Sequence, residues 1–160
     1  MHYTRVAMMA GLFAWAGLFA WAGLSQADVR VEGPVEYGIF SSQYQDYQPG
    51  ERVLTRSNQE IERTEQIPAK LGTKFGMRYS LAGKREGDAP LTLLYLTPGV
   101  VTPDGQRHDK FEVQQKLVVG APQDVMAFEF TEHHEVVPGE WHFIVYQGDR
   151  KLAEQRFMVR

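Results

Sequence analysis

Apolar side chains alternate with other residues through the last part of the chain, residues 138–159, PGEWHFIVYQGDRKLAEQRFMV. Trp141, Phe143 and Val145 stand at every second position, and a second apolar run follows a turn at Gly148. A period of two places one set of side chains on one face of a strand. The segment therefore predicts a β-hairpin whose apolar face lies at the centre of the core.

The same two-residue period recurs upstream, and helical periodicity is weak after residue 27. Short alternating segments separated by turn residues are typical of an immunoglobulin-like sandwich and not of an α/β enzyme fold. We therefore predict an all-β fold, an antiparallel immunoglobulin-like β-sandwich of seven or eight strands, in a single domain. The predicted core residues, which should be mostly buried between the two sheets, are Trp141, Phe143, Phe157, Phe75, Met77, Tyr79, Leu93, Phe128 and Phe130.

Three segments carry more specific expectations. Residues 29–39 indicate a strand that is broken at Gly33 and Pro34. Residues 90–97 are dense in leucine and fit a strand that is buried on both faces. Residues 52–66 are rich in charge, and they indicate a long exposed edge strand or hairpin, with disorder as the alternative.

The N-terminal segment has the features of a signal peptide. Arg5 precedes a charge-free run, residues 6–24, and Ser25 to Ala27 fits the small-residue rule for signal peptidase. We predict a signal peptide over residues 1–27 and a mature domain over residues 28–160, located in the periplasm or secreted, with no membrane attachment after cleavage.

A retained N-terminal membrane anchor is the alternative, because the hexapeptide GLFAWA occurs twice in tandem, at 11–16 and 17–22. The repeat extends the apolar run to 19 residues, which approaches the ~20 of a transmembrane helix. A lipoprotein is excluded because the chain has no cysteine, and no disulfide can stabilise the fold. The formal charge of -3 and the absence of a basic cluster disfavour nucleic acid as a partner.

Three motifs together resemble a family of exported bacterial proteins, the domain of unknown function numbered 3859. They are VEYGIF at 35–40, IPAKLGTKFGMRYSLAG at 67–83 and the hairpin segment at 138–159. The middle motif is the most specific, since terminal hairpins of this kind recur in many immunoglobulin-like domains. The resemblance implies a periplasmic or secreted β-sandwich, and it implies no activity, cofactor or catalytic residue.

The first candidate binding site is a basic stripe in the middle motif. Phe75, Met77 and other apolar residues of this segment should point inward, which leaves Lys74, Gly76 and Arg78 outward together. A glycine there would make room for an envelope protein or an anionic glycan between two cations. The competing explanations are an ordinary solvated strand face, a bulge, or a loop of the same chain that crosses over Gly76.

Two further groups of residues are weaker candidates. Residues 41–50, SSQYQDYQPG, indicate a loop in which Tyr44 and Tyr47 either contact a protein partner or pack back onto the sandwich. Residues 132–135, EHHE, are the one dense group of potential metal ligands. In an extended segment His133 and Glu135 would share a face, so they are the metal candidates, and the alternative is a solvated corner before a turn.

The sequence offers no catalytic constellation. It has no cysteine nucleophile and no GxSxG segment, and His108 beside Asp109 has no evident serine partner. We therefore predict a non-catalytic binding or adaptor module of the bacterial cell envelope, without a cofactor. The alternative is a metal-binding or metal-dependent envelope protein that uses residues 132–135.

Overall fold

Nine strands in two sheets form most of the computed structural model, which describes residues 28–41 and 59–160. The predicted leader and the loop with Tyr44 and Tyr47 lie outside these residues. No helix in the described part is long and apolar enough to cross a bilayer. The strands are β1 (Arg30–Phe40), β2 (Ile61–Glu62), β3 (Gln66–Ile67), β4 (Lys74–Ala82), β5 (Leu91–Val101), β6 (Arg107–Gln115), β7 (Asp124–Glu129), β8 (Gly139–Gln147) and β9 (Arg150–Val159).

The two sheets confirm the predicted immunoglobulin-like sandwich, but the described residues form nine strands and not the seven or eight predicted, because β2 and β3 are additional strands of two residues each. One sheet has the order β2-β1-β4-β7 and the other β3-β9-β8-β5-β6. Every neighbouring pair is antiparallel except β3 and β9, which run parallel over two residue pairs. The chain passes between the sheets after β2, β3, β4, β6 and β7, so each sheet contains strands that are distant in sequence.

The predicted long edge strand over residues 52–66 is wrong where the structure describes it, from residue 59 onward. Two short strands, β2 and β3, lie at the edges of opposite sheets, and only residues 63–65 separate them. Ile67 explains the crossing, because its side chain is buried in the core and draws the chain to the second sheet.

The predicted break at Gly33 and Pro34 is a shift in register within one strand. β1 continues through both residues, but its pairing with β4 shifts between Glu32 and Glu36. Proline lacks the N–H that a regular ladder needs, and a bulge accommodates it without ending the strand.

Aromatic side chains form the centre of the core, as predicted. Phe75 packs with its ring centroid 5.2 to 5.7 Å from those of Phe130, Trp141, Phe143 and Phe157. Eight of the nine predicted core residues are buried. The ninth, Phe128, is half-buried and packs against Trp141 at 5.1 Å. The alternation of the terminal hairpin therefore identified the centre of the fold.

Strand β5 is buried on one face only, which differs from the prediction. Leu91, Leu93 and Tyr95 are buried in the core, whereas Leu94 and Leu96 are half-buried on the opposite face. In the described part of the chain the strands form two sheets, and no third layer of strands covers this outer face. A leucine-rich strand does not require a covered second face, because roughly half of a protein's surface is apolar.

A buried ion pair fixes the loop between β6 and β7. Lys84 Nζ lies 2.8 Å from Asp124 Oδ2, and both side chains are almost fully buried. The same ammonium group donates hydrogen bonds to the carbonyl oxygens of Val118 at 3.1 Å and Ala121 at 3.0 Å. Three acceptors match the three donors of a lysine, so the pair anchors the loop to the turn that follows β4.

Two buried tyrosines should make the fold sensitive to alkaline pH. Burial raises the pKa of Tyr95 to about 12, and burial with the nearby Asp124 carboxylate raises the pKa of Tyr79 above its usual range. The unfolded chain ionises these phenols near pH ~10, so stability is intact below that pH and is lost as the pH rises towards the folded pKa. In denaturant titrations between pH ~9 and ~11.5, Tyr95→Phe should weaken this loss by up to ~1.4 kcal/mol per pH unit. An unchanged pH dependence would contradict the assignment.

Candidate functional site

The predicted basic stripe is engaged within the protein. Lys74 Nζ donates a hydrogen bond to Oε1 of Gln59 at 3.1 Å and lies 5.3 Å from the ring centroid of Phe40. Arg78 donates to the Gln59 carbonyl at 2.7 Å and to Glu36 at 2.6 Å, and its side chain is only 12% exposed. The guanidinium holds the pKa of the Glu36 carboxyl below its ordinary value. Lys74 and Arg78 therefore lie close together, but both donate hydrogen bonds to Gln59 of the same chain.

The expectation of open space at Gly76 is wrong. Gly76 is buried, and a Cβ placed on it would lie 2.1 Å from Met126 O and 2.6 Å from the Cα atom of Ala127. Both atoms belong to the backbone of β7, the neighbouring strand. The glycine permits this close approach of two strands, so the protein's own chain fills the space, but through a neighbouring strand and not through the bulge or crossing loop that the sequence suggested. Whether Lys74 and Arg78 bind a partner remains a prediction.

The EHHE segment forms one turn of 3-10 helix and not the extended segment in which His133 and Glu135 would share a face. The helix spans His133–Glu135. Glu135 Oε1 accepts hydrogen bonds from the backbone and hydroxyl of Thr131, both at 3.0 Å, and from the Glu132 amide at 2.8 Å. Residues two apart in a 3-10 helix lie on different faces, so His133 and Glu135 do not form the pair that an extended segment would. Within the two described ranges, no three potential metal ligands come together.

A groove opens where the edges of the two sheets meet on one side of the sandwich. In the described residues β6 pairs only with β5, and β7 pairs only with β4, so both strands have an unpaired backbone edge here. The groove has a volume of about 360 Å³. Its lining consists of Tyr95, Phe111, Val113, Ala127, Phe128, Glu129 and Glu135.

The floor of the groove is a continuation of the aromatic core. Phe111 stacks on Phe128 with ring centroids 5.9 Å apart, and Phe128 in turn contacts the buried Trp141. The Tyr95 hydroxyl donates a hydrogen bond to the Ala127 carbonyl at 3.0 Å, which ties the two sheets together beneath the opening. The floor is therefore apolar and held in place by the core, as preformed ligand sites commonly are.

The rim of the groove is acidic and carries an exposed apolar side chain. Among the described residues, Glu129 and Glu135 are the charged ones that line the groove, and none of the lining residues is cationic. No salt bridge in the described structure involves Glu129. Val113 is 47% exposed at the β6 side. These features suit a ligand with apolar groups and a positive charge.

Sequence reasoning missed this groove. Residues 111–119 and 125–131 are predicted strands, but nothing in their sequences places them at the edges of opposite sheets. One signal was present, since β6 carries charges at Asp109, Lys110 and Glu112 beside Phe111 and Val113. Charges distributed along a strand are typical of an edge.

The sequence matches the family described as "Domain of unknown function (DUF3859)" over residues 28–159. The chain belongs to this family. The match covers the whole sandwich from the residue before Val29 to the last residue of β9. It confirms the family resemblance carried by the three motifs.

A close structural relative of this DUF3859 chain has a known crystal structure. It is an immunoglobulin-like protein from Pseudomonas aeruginosa that is 66% identical in sequence. The similarity covers 85% of this chain and 99% of that one, with a TM-score of 0.74. The immunoglobulin-like architecture therefore agrees with an experimentally determined relative.

Two more distant similarities carry no argument about function. The alkylpurine DNA glycosylase AlkC of Pseudomonas fluorescens is 15% identical with a TM-score of 0.40, over 82% of this chain and 30% of that one. A β-glucosidase from Listeria innocua is 10% identical with a TM-score of 0.33, over 81% and 16% of the two chains. No curated protein matches the sequence significantly.

Proposed function

We propose that this DUF3859 protein is a non-catalytic binding module of the bacterial cell envelope that holds an extended segment of another protein in the groove between β6 and β7. The observation that carries the proposal is the combination of an apolar floor, a carboxylate rim and two unpaired strand edges at one place. The ligand that fits this combination is a short extended segment with apolar side chains and a lysine or arginine.

Each feature of the groove matches one feature of the proposed ligand. The free backbone edge of β7 can hydrogen-bond to an added strand, which is a common mode of peptide recognition. Phe111 and Phe128 offer a preformed apolar surface, so little ordering of the site is required on binding. Glu129 offers a carboxylate to a cation. An anionic glycan fits this groove less well, because the rim is negative.

A binding role also agrees with the chemistry of the other candidate sites. The histidines at 133 and 134 lie on a helical turn whose neighbouring Glu135 carboxylate serves as a cap for Thr131 and Glu132. The basic stripe donates its hydrogen bonds to Gln59 and Glu36. No observation favours the metal-dependent alternative over the binding role.

The cell envelope is proposed as the location because of the N-terminal sequence. Residues 6–24 form a charge-free run, and Ser25, Gln26 and Ala27 provide a cleavage site that would release the domain beginning at Asp28. The family match begins at the same residue, 28. A domain without cysteines folds in an oxidising compartment without the risk of wrong disulfides.

Site-specific photocrosslinking in intact cells tests the proposal. Val113 and Val101 are almost equally exposed, at 47% and 49%, but only Val113 lines the groove. A photoreactive phenylalanine analogue at position 113 should trap another protein, whereas the same analogue at position 101 should not. Adding Glu129→Lys should reduce the trapped product by ~10-fold or more, because the substitution places a positive charge opposite the ligand's own cation.

The matched control for the charge reversal is Glu86→Lys in the exposed turn between β4 and β5, which should leave trapping unchanged. Equal trapping at positions 113 and 101, or trapping that survives Glu129→Lys, would show that the groove is not the site. A product that contains only a second copy of the chain would also contradict binding of another protein.

A further inference from the structure

The outer edge of β6 is suited to pairing with a copy of itself. β6 has a strand partner on one side only among the described residues, and it is nine residues long. Lys110 and Glu112 are both exposed, and neither forms a salt bridge in the described part of the protein. They flank Phe111 symmetrically and carry opposite charges. Charges that only prevent a strand edge from pairing with other chains need not have opposite signs on the two sides of one residue.

The pairing with β5 determines which way these side chains point. Phe111 stands opposite Tyr95 and Val113 opposite Leu93, and both partners are buried in the core. Lys110 and Glu112 stand opposite Leu96 and Leu94 on the outer face of the sheet. The two charges therefore lie on the solvent face, on either side of a residue that faces inward.

Closed dimers usually have two-fold symmetry, and antiparallel pairing of two identical edges requires an axis perpendicular to the sheet. Such an axis leaves the inner and outer faces of the sheet unchanged. Residues that pair across the interface must then lie on the same face of the sheet. Two residues on the same face of β6 are an even number of positions apart, so the residue midway between them lies on the axis and stands opposite its own copy. Only a few registers meet this condition.

The charges select one of these registers. With Phe111 opposite its copy, Lys110 stands opposite Glu112 of the second copy and the reverse pair forms as well, while all nine residues of β6 are paired. A register centred on Lys110 or Glu112 would place two like charges directly opposite each other, which is unfavourable. A register centred on Asp109 does the same and also shortens the pairing.

We propose that the protein forms a two-fold homodimer in which the β6 strands pair antiparallel about Phe111 and join the two five-stranded sheets into one. Two Lys110–Glu112 pairs form across the interface on its solvent face. The β7 edges of both copies lie on the same side of the joined sheet, so the two grooves open towards each other. In this dimer the second copy occupies the β6 edge and places its Asp109 opposite Val113, so a bound peptide pairs with β7 and a probe at position 113 traps the second copy as well as the other protein. The dimer does not depend on the proposed peptide binding, because a purified chain can form it alone.

Charge reversals test the dimer and its register. Lys110→Glu and Glu112→Lys each turn both cross-strand pairs into like-charge pairs, and each should weaken dimerisation by roughly 10-fold or more in sedimentation equilibrium of the purified protein. The double variant, Lys110→Glu with Glu112→Lys, restores opposite charges and should dimerise like the wild type. High salt should weaken the wild-type dimer.

Mixing the two single variants is the decisive measurement. In a mixed dimer every Lys110→Glu site faces a Glu112→Lys site, so the mixture should form heterodimers more tightly than either variant forms homodimers. Unchanged thermal unfolding of the variants shows that the fold is intact. A wild-type protein that stays monomeric at its highest soluble concentration, or a double variant that is no better than the singles, would overturn the proposal. Neither result would bear on trapping of another protein at position 113.

Discussion

Trp141→Ala is expected to lower the free energy of unfolding by ~3 to 5 kcal/mol, because it removes the largest fully buried side chain among the described residues and leaves a cavity. The indole contacts Phe75, Phe128 and Phe130 with centroids 5.1 to 5.7 Å apart, so rings from the opposite side of the sandwich lose a neighbour. The substitution also leaves the Val137 carbonyl without the indole N–H that donates to it at 2.9 Å.

Guanidinium unfolding followed by circular dichroism measures this loss. Val101→Ala is the control, since Val101 is 49% exposed at the end of β5 and should change stability by less than ~0.5 kcal/mol. A loss below ~1 kcal/mol for Trp141→Ala would mean that the ring is not part of the packed core. The variant should also weaken groove binding, because Phe128 rests on Trp141.

The core could be predicted from the sequence because burial and a two-residue period act together. Phe75, Met77 and Tyr79 alternate with polar residues and glycine, and the only face that can accept three large apolar side chains is the inner one. The same reasoning identified Trp141 and Phe143. The burial of such side chains follows from the local alternation alone, and it does not depend on which strands become neighbours in the sheet.

Features that depend on strand neighbours could not be predicted. Gly76 gave no sign that the backbone of β7 would approach it, since residues 76 and 126 are far apart in sequence. Ile67 and the short β3 reach the second sheet through a parallel pairing with β9 that no local pattern indicates. The groove has the same origin, because it exists only where β6 and β7 end their respective sheets.

The 3-10 turn at residues 133–135 shows how a side chain can override an extended pattern. Glu135 closes a capping box with Glu132, so the carboxylate satisfies backbone donors that a strand would pair with a neighbour. The E-x-x-E sequence can be read from the chain, but Glu132 and Glu135 form a capping box only if the chain turns at this point. Consequently His133 and Glu135 do not form the pair of metal ligands that an extended segment would provide.

Gly76→Ala is expected to destabilise the protein by about 3 kcal/mol or more, although it adds a single methyl group. The added Cβ would lie 2.1 Å from Met126 O, whereas carbon–oxygen contacts between strands are normally ~3.3 Å or longer. Backbone atoms cannot rotate away as a side chain can. β7 must therefore move away from β4, which disrupts the pairing of Gly76 with Ala127 and of Met77 with Met126.

Gly120→Ala is the matched control, because nothing lies within 4 Å of a Cβ at that position in the loop before β7. Denaturant unfolding of both variants should show a large loss for Gly76→Ala and a change below ~0.5 kcal/mol for Gly120→Ala. The displaced strand also carries Ala127 and Phe128, so Gly76→Ala should reduce photocrosslinking at position 113 even under conditions where the variant stays folded. A stable Gly76→Ala variant would mean that β4 and β7 are not in close contact, and the explanation of this glycine by internal packing would then fail.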